Sequence, residues 1–210
     1  SILNQTLDNF ELIIINDGST DNSNLIIQKY ADLDSRIIYI DQHNKGLTRS
    51  LNIGIKTARG QYIARQDADD ISLPNRLSQQ IHWLENYNYD FCCSRAILNK
   101  TKRTTPKITF YFSHTLIALY KNPFIHGTFV IKKFLLDKIG GYDEHFTYAQ
   151  DYKLIIDLIN ISARIKKIPS PLYILGEQKN RISIAHLNEQ NIYSKEIQKI
   201  YYNNIINRFR

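Results

Sequence analysis

The chain has 210 residues and a net charge of +7, with 43% hydrophobic and 22% charged residues. This length suits one domain, and the composition excludes disordered and collagen-like proteins. The longest apolar runs, four to five residues, are too short for a membrane span or a signal peptide, so we predict a cytoplasmic location. The charge suits an anionic partner, either a nucleotide, a polyanion or the inner face of a membrane, but no nucleic-acid-binding motif accompanies it.

The first half of the sequence alternates apolar runs with amphipathic stretches. Strands are predicted at residues 12–15, 37–40 and 61–64. The first intervening helix places Leu25, Ile26 and Tyr30 on one face, and the second begins near Leu47. Strands that alternate with helices of about ten residues are typical of βαβ units. The sequence therefore predicts an α/β fold with a mostly parallel central sheet flanked by helices.

The second half continues the pattern less regularly. The predicted elements are a helix starting at Ser72 or Pro74, a strand at 90–97, a basic loop at 100–107, a short helix at 113–120, a strand at 128–131, a helix from about 151 and a final helix at 188–210. One side of the final helix carries Tyr193, Ile197, Ile200 and Tyr201. This spacing favours packing on the domain over a helix on a membrane surface, which basic amphipathic helices also suggest.

Polar clusters follow the first and third predicted strands. The first contains Asp17 and Ser19, and the second places Asp67, Asp69 and Asp70 within four residues. Such carboxylates repel one another unless a cation is present, and hard oxygen ligands suit Mg2+ or Mn2+. The alternative is that both clusters are turns that cap the next helix. Capping explains Ser19 but leaves Asp17 available for a ligand at the edge of the sheet, where such folds bind ligands.

Several motifs along the chain resemble the family 2 glycosyltransferases of the GT-A fold. They are SILNQT at 1–6, INDGSTD at 15–21, NKGL at 44–47, NIGI at 52–55, ARGQYIA at 58–64, DADD at 67–70, Pro74 with Arg76, Leu77 and Gln80, GGYD at 140–143, and QDY at 150–152. The family's opening strand has no counterpart here, and the chain has no methionine. We therefore expect residues 1–7 to be the end of a helix whose preceding strand is missing.

The resemblance implies roles for four carboxylates. Asp17 would accept a hydrogen bond from the base of a nucleoside diphosphate sugar, which we expect to be uracil, and Asp67 would lie near the ribose. Asp69 would bind Mn2+ or Mg2+ on the diphosphate. Asp151 would be the general base, although its position also fits an N-cap of the following helix. The implied reaction is inverting sugar transfer to a hydroxyl of a glycan or lipid-linked acceptor in surface polysaccharide synthesis.

The resemblance also implies a wider site and a division of the chain. Ser19 and Lys45 would help bind the nucleotide, while His126 and Arg76 would line the acceptor or donor-sugar pocket. The alternatives are a structural role for His126 and solvated side chains for Lys45 and Arg76. Residues 1–187 would form the catalytic domain, with a nucleotide-binding half at 1–105 and an acceptor half at 106–187. The helix at 188–210 would follow it.

Two other functions remain open on the sequence alone. A sugar-phosphate nucleotidylyltransferase would use similar nucleotide-sugar chemistry, but it needs a Gly-rich, Arg-containing phosphate loop that this chain does not show. A non-enzymatic basic module that binds anionic polymers would suit the positive charge. Such a module has no need for the three carboxylates at 67–70, so the enzyme is the favoured interpretation. A peripheral contact with a membrane is compatible with the enzyme.

Overall fold

A computed structural model of the protein describes residues 1–176 and 186–208. Its first half contains β1 (Leu12–Asp17), α1 (Ser23–Leu33), β2 (Ile37–Gln42), α2 (Leu47–Thr57), β3 (Tyr62–Ala64), β4 (Ile71–Ser72) and α3 (Arg76–Asn86). Its second half contains β5 (Phe91–Leu98), β6 (Thr104–Thr105), α4 (His114–Ile117), β7 (Val130–Lys132), α5 (Lys133–Ile139), α6 (Gln150–Asn160), β8 (Ile165–Leu175) and α7 (Leu187–Arg208).

The described strands form a parallel pair and a mixed sheet. β1 pairs with β2 in parallel. The mixed sheet has the order β3-β7-β5-β8-β4, with β6 on β5, and only its β5 and β8 are parallel neighbours. Four of the five neighbouring strand pairs described in this sheet are antiparallel, whereas we predicted a mostly parallel sheet. The reason is that β7 follows the long segment 99–129 rather than a helical crossover, so it enters between β3 and β5 in the opposite direction.

No strand was predicted at β8, the longest described strand, because it contains Pro169 and Pro171. Proline cannot donate to a strand ladder and usually argues against a central strand. Here the β5 register shifts between Ser94, which lies opposite Ile168, and Arg95, which lies opposite Pro171. The irregularity accommodates the prolines. The sheet therefore runs across the boundary at 105/106, and the division into nucleotide-binding and acceptor halves stays a prediction.

The main core lies between the mixed sheet and two helices of the second half. Phe91 of β5 and Ile155 of α6 are fully buried, together with Ile197 of α7. The side of α7 that carries Ile197 and Tyr201 packs on the domain, as its spacing predicts. Within 1–176 and 186–208, no helix combines the length and the apolar character that a membrane crossing requires.

The first 33 residues differ from expectation in two ways. Residues 1–11 form turns and irregular backbone rather than the end of a helix, with the Gln5 N–H donating to the Ile2 carbonyl at 3.1 Å. In α1 the face with Leu25, Ile26 and Tyr30 is exposed rather than packed on the sheet. Amphipathic spacing identifies a face of a helix, but it does not identify a partner for that face.

Asn52 of α2 holds the loop that contains the GGYD motif. Its Nδ2 donates to the Tyr142 carbonyl at 2.8 Å and to Glu144 Oε1 at 3.1 Å, and its Oδ1 accepts from the Tyr142 N–H at 2.8 Å. Gly141 has φ +79°, and a Cβ there would lie 2.6 Å from Asn52 Oδ1. The backbone must therefore pass close to this amide, so two separated motifs form one structural unit.

Replacing Asn52 with Ala is expected to lower the free energy of unfolding by about 2 kcal/mol, because three hydrogen bonds are lost at a buried position. Urea unfolding followed by circular dichroism measures the change. Asn203→Ala, at an exposed position of α7, is the matched control and should change stability by less than about 0.5 kcal/mol. Equal effects of the two substitutions would show that the Asn52 contacts contribute little.

Candidate active site

Asp17 ends β1 and organises the loop that follows β2. Its Oδ1 accepts from Gln42 Nε2 at 2.7 Å and from the Lys45 N–H at 2.8 Å, and its Oδ2 accepts from the Gly46 N–H at 2.9 Å. Burial raises the pKa of Asp17, but these hydrogen bonds outweigh it and hold the pKa below its ordinary value. The Ser50 hydroxyl is a fourth donor, so these bonds use the roughly four acceptor sites of a carboxylate, and a ligand N–H would take the place of one of them.

The predicted nucleotide-binding residues Ser19 and Lys45 lie around this carboxylate. The Ser19 N–H donates to Asn16 Oδ1 at 3.1 Å, and Asn16 Nδ2 donates to Asp41 Oδ1 at 2.8 Å. This network fixes the turn after β1. The side chains of Ser19 and Lys45 are exposed, and it is the backbone of Lys45 that contacts Asp17.

The three carboxylates after β3 point in different directions. Asp67 forms an ion pair with Arg65. Asp70 is buried and its Oδ1 accepts from the Gly176 N–H at 2.7 Å. Burial raises the pKa of Asp70, and the charges of Asp67 and Asp69 raise it further. Arg65 thus offsets only part of the crowding among the three carboxylates, and the rest remains in the raised pKa of Asp70.

Asp69 is the exposed carboxylate of this turn. In the described residues, no three His, Cys, Asp or Glu side chains converge as a metal site. Mg2+, however, is usually bound by one or two carboxylates together with substrate phosphates rather than by a closed protein cage. A single exposed carboxylate beside Asp67 therefore fits a divalent ion that binds with a diphosphate.

Two distant segments hold the position of Asp67. The Asp67 N–H donates to Tyr173 Oη of β8 at 3.0 Å. The turn at residues 126–128 approaches from the other side, where a Cβ on Gly127 would lie 2.8 Å from Asp67 Oδ2. Because real Cβ atoms do not approach so closely, glycine lets this turn pack directly against the carboxylate.

Asp151 is the second residue of α6. The N-cap of that helix is Ala149, so the hypothesis that Asp151 is the N-cap is wrong. Its Oδ1 accepts from the Tyr152 N–H at 2.8 Å, and its Oδ2 accepts from Asn122 Nδ2 at 2.7 Å. Burial raises the pKa of Asp151; the hydrogen bonds oppose this rise, and the charge of Asp67 adds to it. Asp151 and Asp67 therefore share one electrostatic environment.

His126 lies in that same environment as a neutral residue. Its Nε2 is 2.7 Å from Tyr142 Oη. Burial, assisted by the charge of Arg65, holds the pKa of His126 well below its ordinary value. Burial also raises the pKa of Tyr142, and the charges of Asp151 and Asp67 contribute. His126 thus adjoins the predicted site without supplying a positive charge for phosphate.

Arg76 is neither a pocket residue nor a solvated cation, because its side chain is fully buried. Its guanidinium donates to Ser72 Oγ at 2.7 Å, to the Arg65 carbonyl at 2.7 Å and to Gln80 Oε1 at 2.9 Å. Burial lowers its pKa to about 10, which leaves it charged at neutral pH. Arg76 thus positions the backbone that leads into the acidic turn.

The residues that sequence reasoning missed are the partners of the predicted ones. Arg65 and Tyr173 contact Asp67, and Asn122 contacts Asp151. Tyr142, the partner of His126, belongs to the GGYD motif. No local pattern marked Arg65, Tyr173 or Asn122 as partners. Within the described part of the chain, no hydrogen bond or ion pair joins the Asp17 group to the Asp67 group. The family often has a Tyr-Arg pair followed by His where this chain has Tyr173 to Glu177; the structure describes this stretch through Gly176, and Glu177 lies outside the described residues.

The family follows from a direct match of the sequence. Residues 1–140, which contain Asp17 and the acidic turn, match the sequence model described as glycosyl transferase family 2. The chain belongs to this family. The glycosyltransferase resemblance of its motifs is therefore confirmed.

Curated relatives of this glycosyltransferase are themselves named as glycosyltransferases. It is 29% identical over 216 residues to an uncharacterized glycosyltransferase of Haemophilus influenzae, which covers 95% of the chain and 66% of that relative. It is 28% identical over 177 residues to the amylovoran biosynthesis glycosyltransferase AmsE of Erwinia amylovora, with 82% of the chain and 66% of AmsE covered. The chain thus spans just under two thirds of the length of these relatives.

Solved structures confirm the α/β fold of the GT-A type. S. aureus TarS 1-349 in complex with UDP-GlcNAc superposes with a TM-score of 0.73 at 18% identity, covering 97% of this glycosyltransferase and 66% of that chain. The mannosyltransferase PcManGT of Pyrobaculum calidifontis, in complex with GDP-Man and Mn2+, superposes with a TM-score of 0.67 at 17% identity. The match covers 89% of this glycosyltransferase and 54% of the PcManGT chain. At these identities the likeness concerns the fold alone.

Proposed function

We propose that this glycosyltransferase transfers a sugar from a UDP-sugar to a hydroxyl of a glycan or lipid-linked acceptor, with inversion at the anomeric carbon. One observation carries the proposal. Asp151, half-buried and held by Asn122, shares its electrostatic environment with Asp67 of the acidic turn. The charge of Asp67 thus acts on a carboxylate from the second half of the chain, which supports a base beside the donor that the acidic turn would bind.

The donor side of the proposal rests on Asp17. Its carboxylate suits the imide N–H of uracil in place of one of its present donors, and its lowered pKa keeps it ionised, which strengthens such a bond. The structural neighbours were solved with UDP-GlcNAc and with GDP-Man and Mn2+, which supports a nucleoside diphosphate sugar as the class of donor. Ser19 and the Lys45 loop would surround the nucleotide, with Asp67 near the ribose.

Asp69 would hold Mn2+ or Mg2+ together with the diphosphate. The ion, when bound, would supply positive charge that neutralises the leaving diphosphate. Asp69 suits this role because its side chain is exposed and its neighbours Asp67 and Asp70 have partners of their own. Arg65 would keep Asp67 oriented beside the donor.

Asp151 would remove the proton from the acceptor hydroxyl as that oxygen attacks the anomeric carbon. The Asn122 hydrogen bond to Oδ2 orients the carboxylate, and the raised pKa makes it a better proton acceptor than an exposed aspartate. A single base opposite the leaving group implies direct displacement, so an α-linked donor would give a β-linked product. The name of AmsE, an amylovoran biosynthesis glycosyltransferase, supports a polysaccharide or its lipid-linked precursor as acceptor.

A melting-temperature panel of nucleotide sugars with Mn2+ tests the donor class, because a ligand that binds the native state stabilises it by mass action. We expect one or more UDP-sugars to raise the melting temperature above the value with Mn2+ alone. A panel in which no nucleotide sugar shifts the melting temperature would contradict the proposal.

Replacing Asp17 with Asn is expected to weaken UDP binding by about tenfold, because the charge-assisted bond to the imide N–H becomes a neutral one. Binding of CDP, which has no imide N–H, should change much less. Calorimetric titration with both nucleotides measures this. Asp21→Asn, at an exposed position of the same polar cluster, is the control and should bind UDP like the parent. Unchanged UDP affinity in Asp17→Asn would place base recognition elsewhere.

A further inference from the structure

The positive charge of the protein is concentrated in one part of the sequence. Residues 91–136 contain eight Lys or Arg and no Asp or Glu, whereas the whole chain has a net charge of only +7. The rest of the chain is therefore close to neutral, with one more acidic than basic residue. This stretch contains β5, α4 and β7, and it includes Asn122.

The middle of this segment exposes large apolar side chains. Five of them lie within residues 108–120 and are 57% to 77% exposed: Ile108, Tyr111, Phe112, Leu116 and Tyr120. Scattered exposed apolar residues are normal on proteins, but a concentration of them marks an interaction surface. The 3-10 turn at 108–111 and α4 rise about 1.5–2 Å per residue, so the five fit within roughly 25 Å.

The segment is firmly attached to the domain, so these side chains are not exposed because the backbone has come loose. Lys167 Nζ of β8 donates to the carbonyls of Phe110 and Phe112, and Tyr152 Oη of α6 donates to the Ala118 carbonyl, each at 2.5 Å. Phe110 and Ala118 are buried between the exposed residues. The backbone is thus fixed from the core side, while the exposed apolar side chains project outward.

We propose that residues 107–121 dock on the surface of an anionic phospholipid bilayer. Exposed aliphatic and aromatic side chains can enter the boundary between headgroups and acyl chains, while Lys107 and Lys121, both exposed, meet anionic headgroups. A soluble polyanion would use the basic residues but has no need for Ile108 or Leu116. A second copy of the chain would oppose two acid-free, positively charged segments and is disfavoured by repulsion.

The docking face leads directly into the proposed site. Asn122 follows the segment and donates to Asp151 Oδ2 at 2.7 Å. Docking would therefore hold the proposed base near the membrane plane, where a lipid-linked acceptor presents its hydroxyl. This consequence rests on the proposed function, whereas the docking itself does not.

Cosedimentation of the full chain with phospholipid vesicles tests the docking. We expect the protein to bind vesicles that contain phosphatidylglycerol and to bind vesicles of phosphatidylcholine alone much more weakly. The variant Ile108→Ser, Phe112→Ser, Leu116→Ser should lower the partition coefficient by about tenfold or more, because three inserting side chains are lost. Lys107→Glu with Lys121→Glu should also lower it by about tenfold.

Two matched variants serve as controls. Leu25→Ser, Ile26→Ser, Leu33→Ser replaces three residues of α1 that are 56% to 75% exposed, and Lys195→Glu with Lys199→Glu changes two exposed positions of α7. Each control should bind vesicles more tightly than the variant of residues 107–121 that carries the same kind of substitution. The proposal is wrong if the parent does not bind anionic vesicles, or if either control loses binding as much as its counterpart.

UDP binding separates the docking proposal from the proposed function. Every variant of residues 107–121 should keep the melting temperature and the UDP affinity of the parent, since the altered side chains are exposed and are not among the partners of Asp17. Vesicle binding without UDP binding would leave the docking in place and contradict the donor assignment. Salt-sensitive binding to vesicles that survives the three serine substitutions would show a purely electrostatic contact and overturn the docking of this segment.

Discussion

Replacing Asp151 with Asn is expected to lower sugar transfer by about a hundredfold or more while UDP affinity changes little. Asn keeps the size of the side chain and can still accept from Asn122, but it cannot take a proton from the acceptor. Release of UDP from a UDP-sugar, with water or a glycan as acceptor, measures turnover. In the parent the rate should fall as the pH drops through the raised pKa of Asp151, because only the ionised form is a base.

The same substitution should leave the melting temperature unchanged or raise it at neutral pH. Burial raises the pKa of Asp151 in the folded protein. When the pKa of a carboxyl group is higher in the folded state than in the unfolded state, the protein becomes less stable as the pH rises from the unfolded-state pKa through the folded-state pKa. Ionised Asp151 therefore costs stability at pH 7, and Asn removes that cost. This combination of lost turnover and retained stability is typical of a functional residue.

Asp157→Asn is the matched control for Asp151→Asn. It lies on the same helix, and burial also raises its pKa, but its carboxylate pairs with Lys153 at 2.7 Å. The control should keep the transfer rate, and because its pKa is raised even with the Lys153 ion pair, its melting temperature at neutral pH should likewise be unchanged or higher. Normal turnover in Asp151→Asn, or an equal loss of turnover in both variants, would contradict Asp151 as the base.

Replacing Asp69 with Ala is expected to abolish the dependence of UDP binding on divalent metal. In the parent, Mn2+ should tighten UDP binding by about tenfold or more relative to a chelator, because the ion joins the diphosphate to Asp69. In the variant, the affinities with Mn2+ and with the chelator should be nearly equal. Calorimetric titration with UDP in both conditions measures the difference.

Asp32→Ala, at an exposed position of α1, is the control for the removal of one surface carboxylate. It should keep the metal dependence of the parent. The assignment of Asp69 fails if the parent binds UDP equally well with and without Mn2+, or if Asp69→Ala keeps the full effect of the metal.

The regular elements of the first half could be predicted because the sequence pattern there is local. The apolar run at Leu12 to Ile15 and the spacing of α2 follow directly from strand and helix periods. β8 and the antiparallel entry of β7 could not be predicted in the same way. The first has prolines inside the strand, and the second depends on how a long irregular segment is routed across the sheet.

The candidate site was predictable in residue type but not in side-chain direction. Motifs placed Asp17 and the acidic turn after strands, where the structure has them. Their partners come from far along the chain: Tyr173 is 106 residues from Asp67, and Asn122 is 29 residues from Asp151. Spacing could not show that Arg76 turns inward, since burial of a cation depends on the carbonyl and side-chain oxygens that several elements supply together.

A crystal structure of the full chain with UDP and Mn2+, with anomalous data at the manganese edge, tests the central claim most directly. We expect an anomalous peak about 2.1 Å from an Asp69 oxygen and the uracil ring beside Asp17. The Asp151 carboxylate should face the diphosphate from across the site. Binding of the nucleotide elsewhere, as in the hollow beside Gly140 and Lys153, or manganese bound away from Asp69, would contradict it.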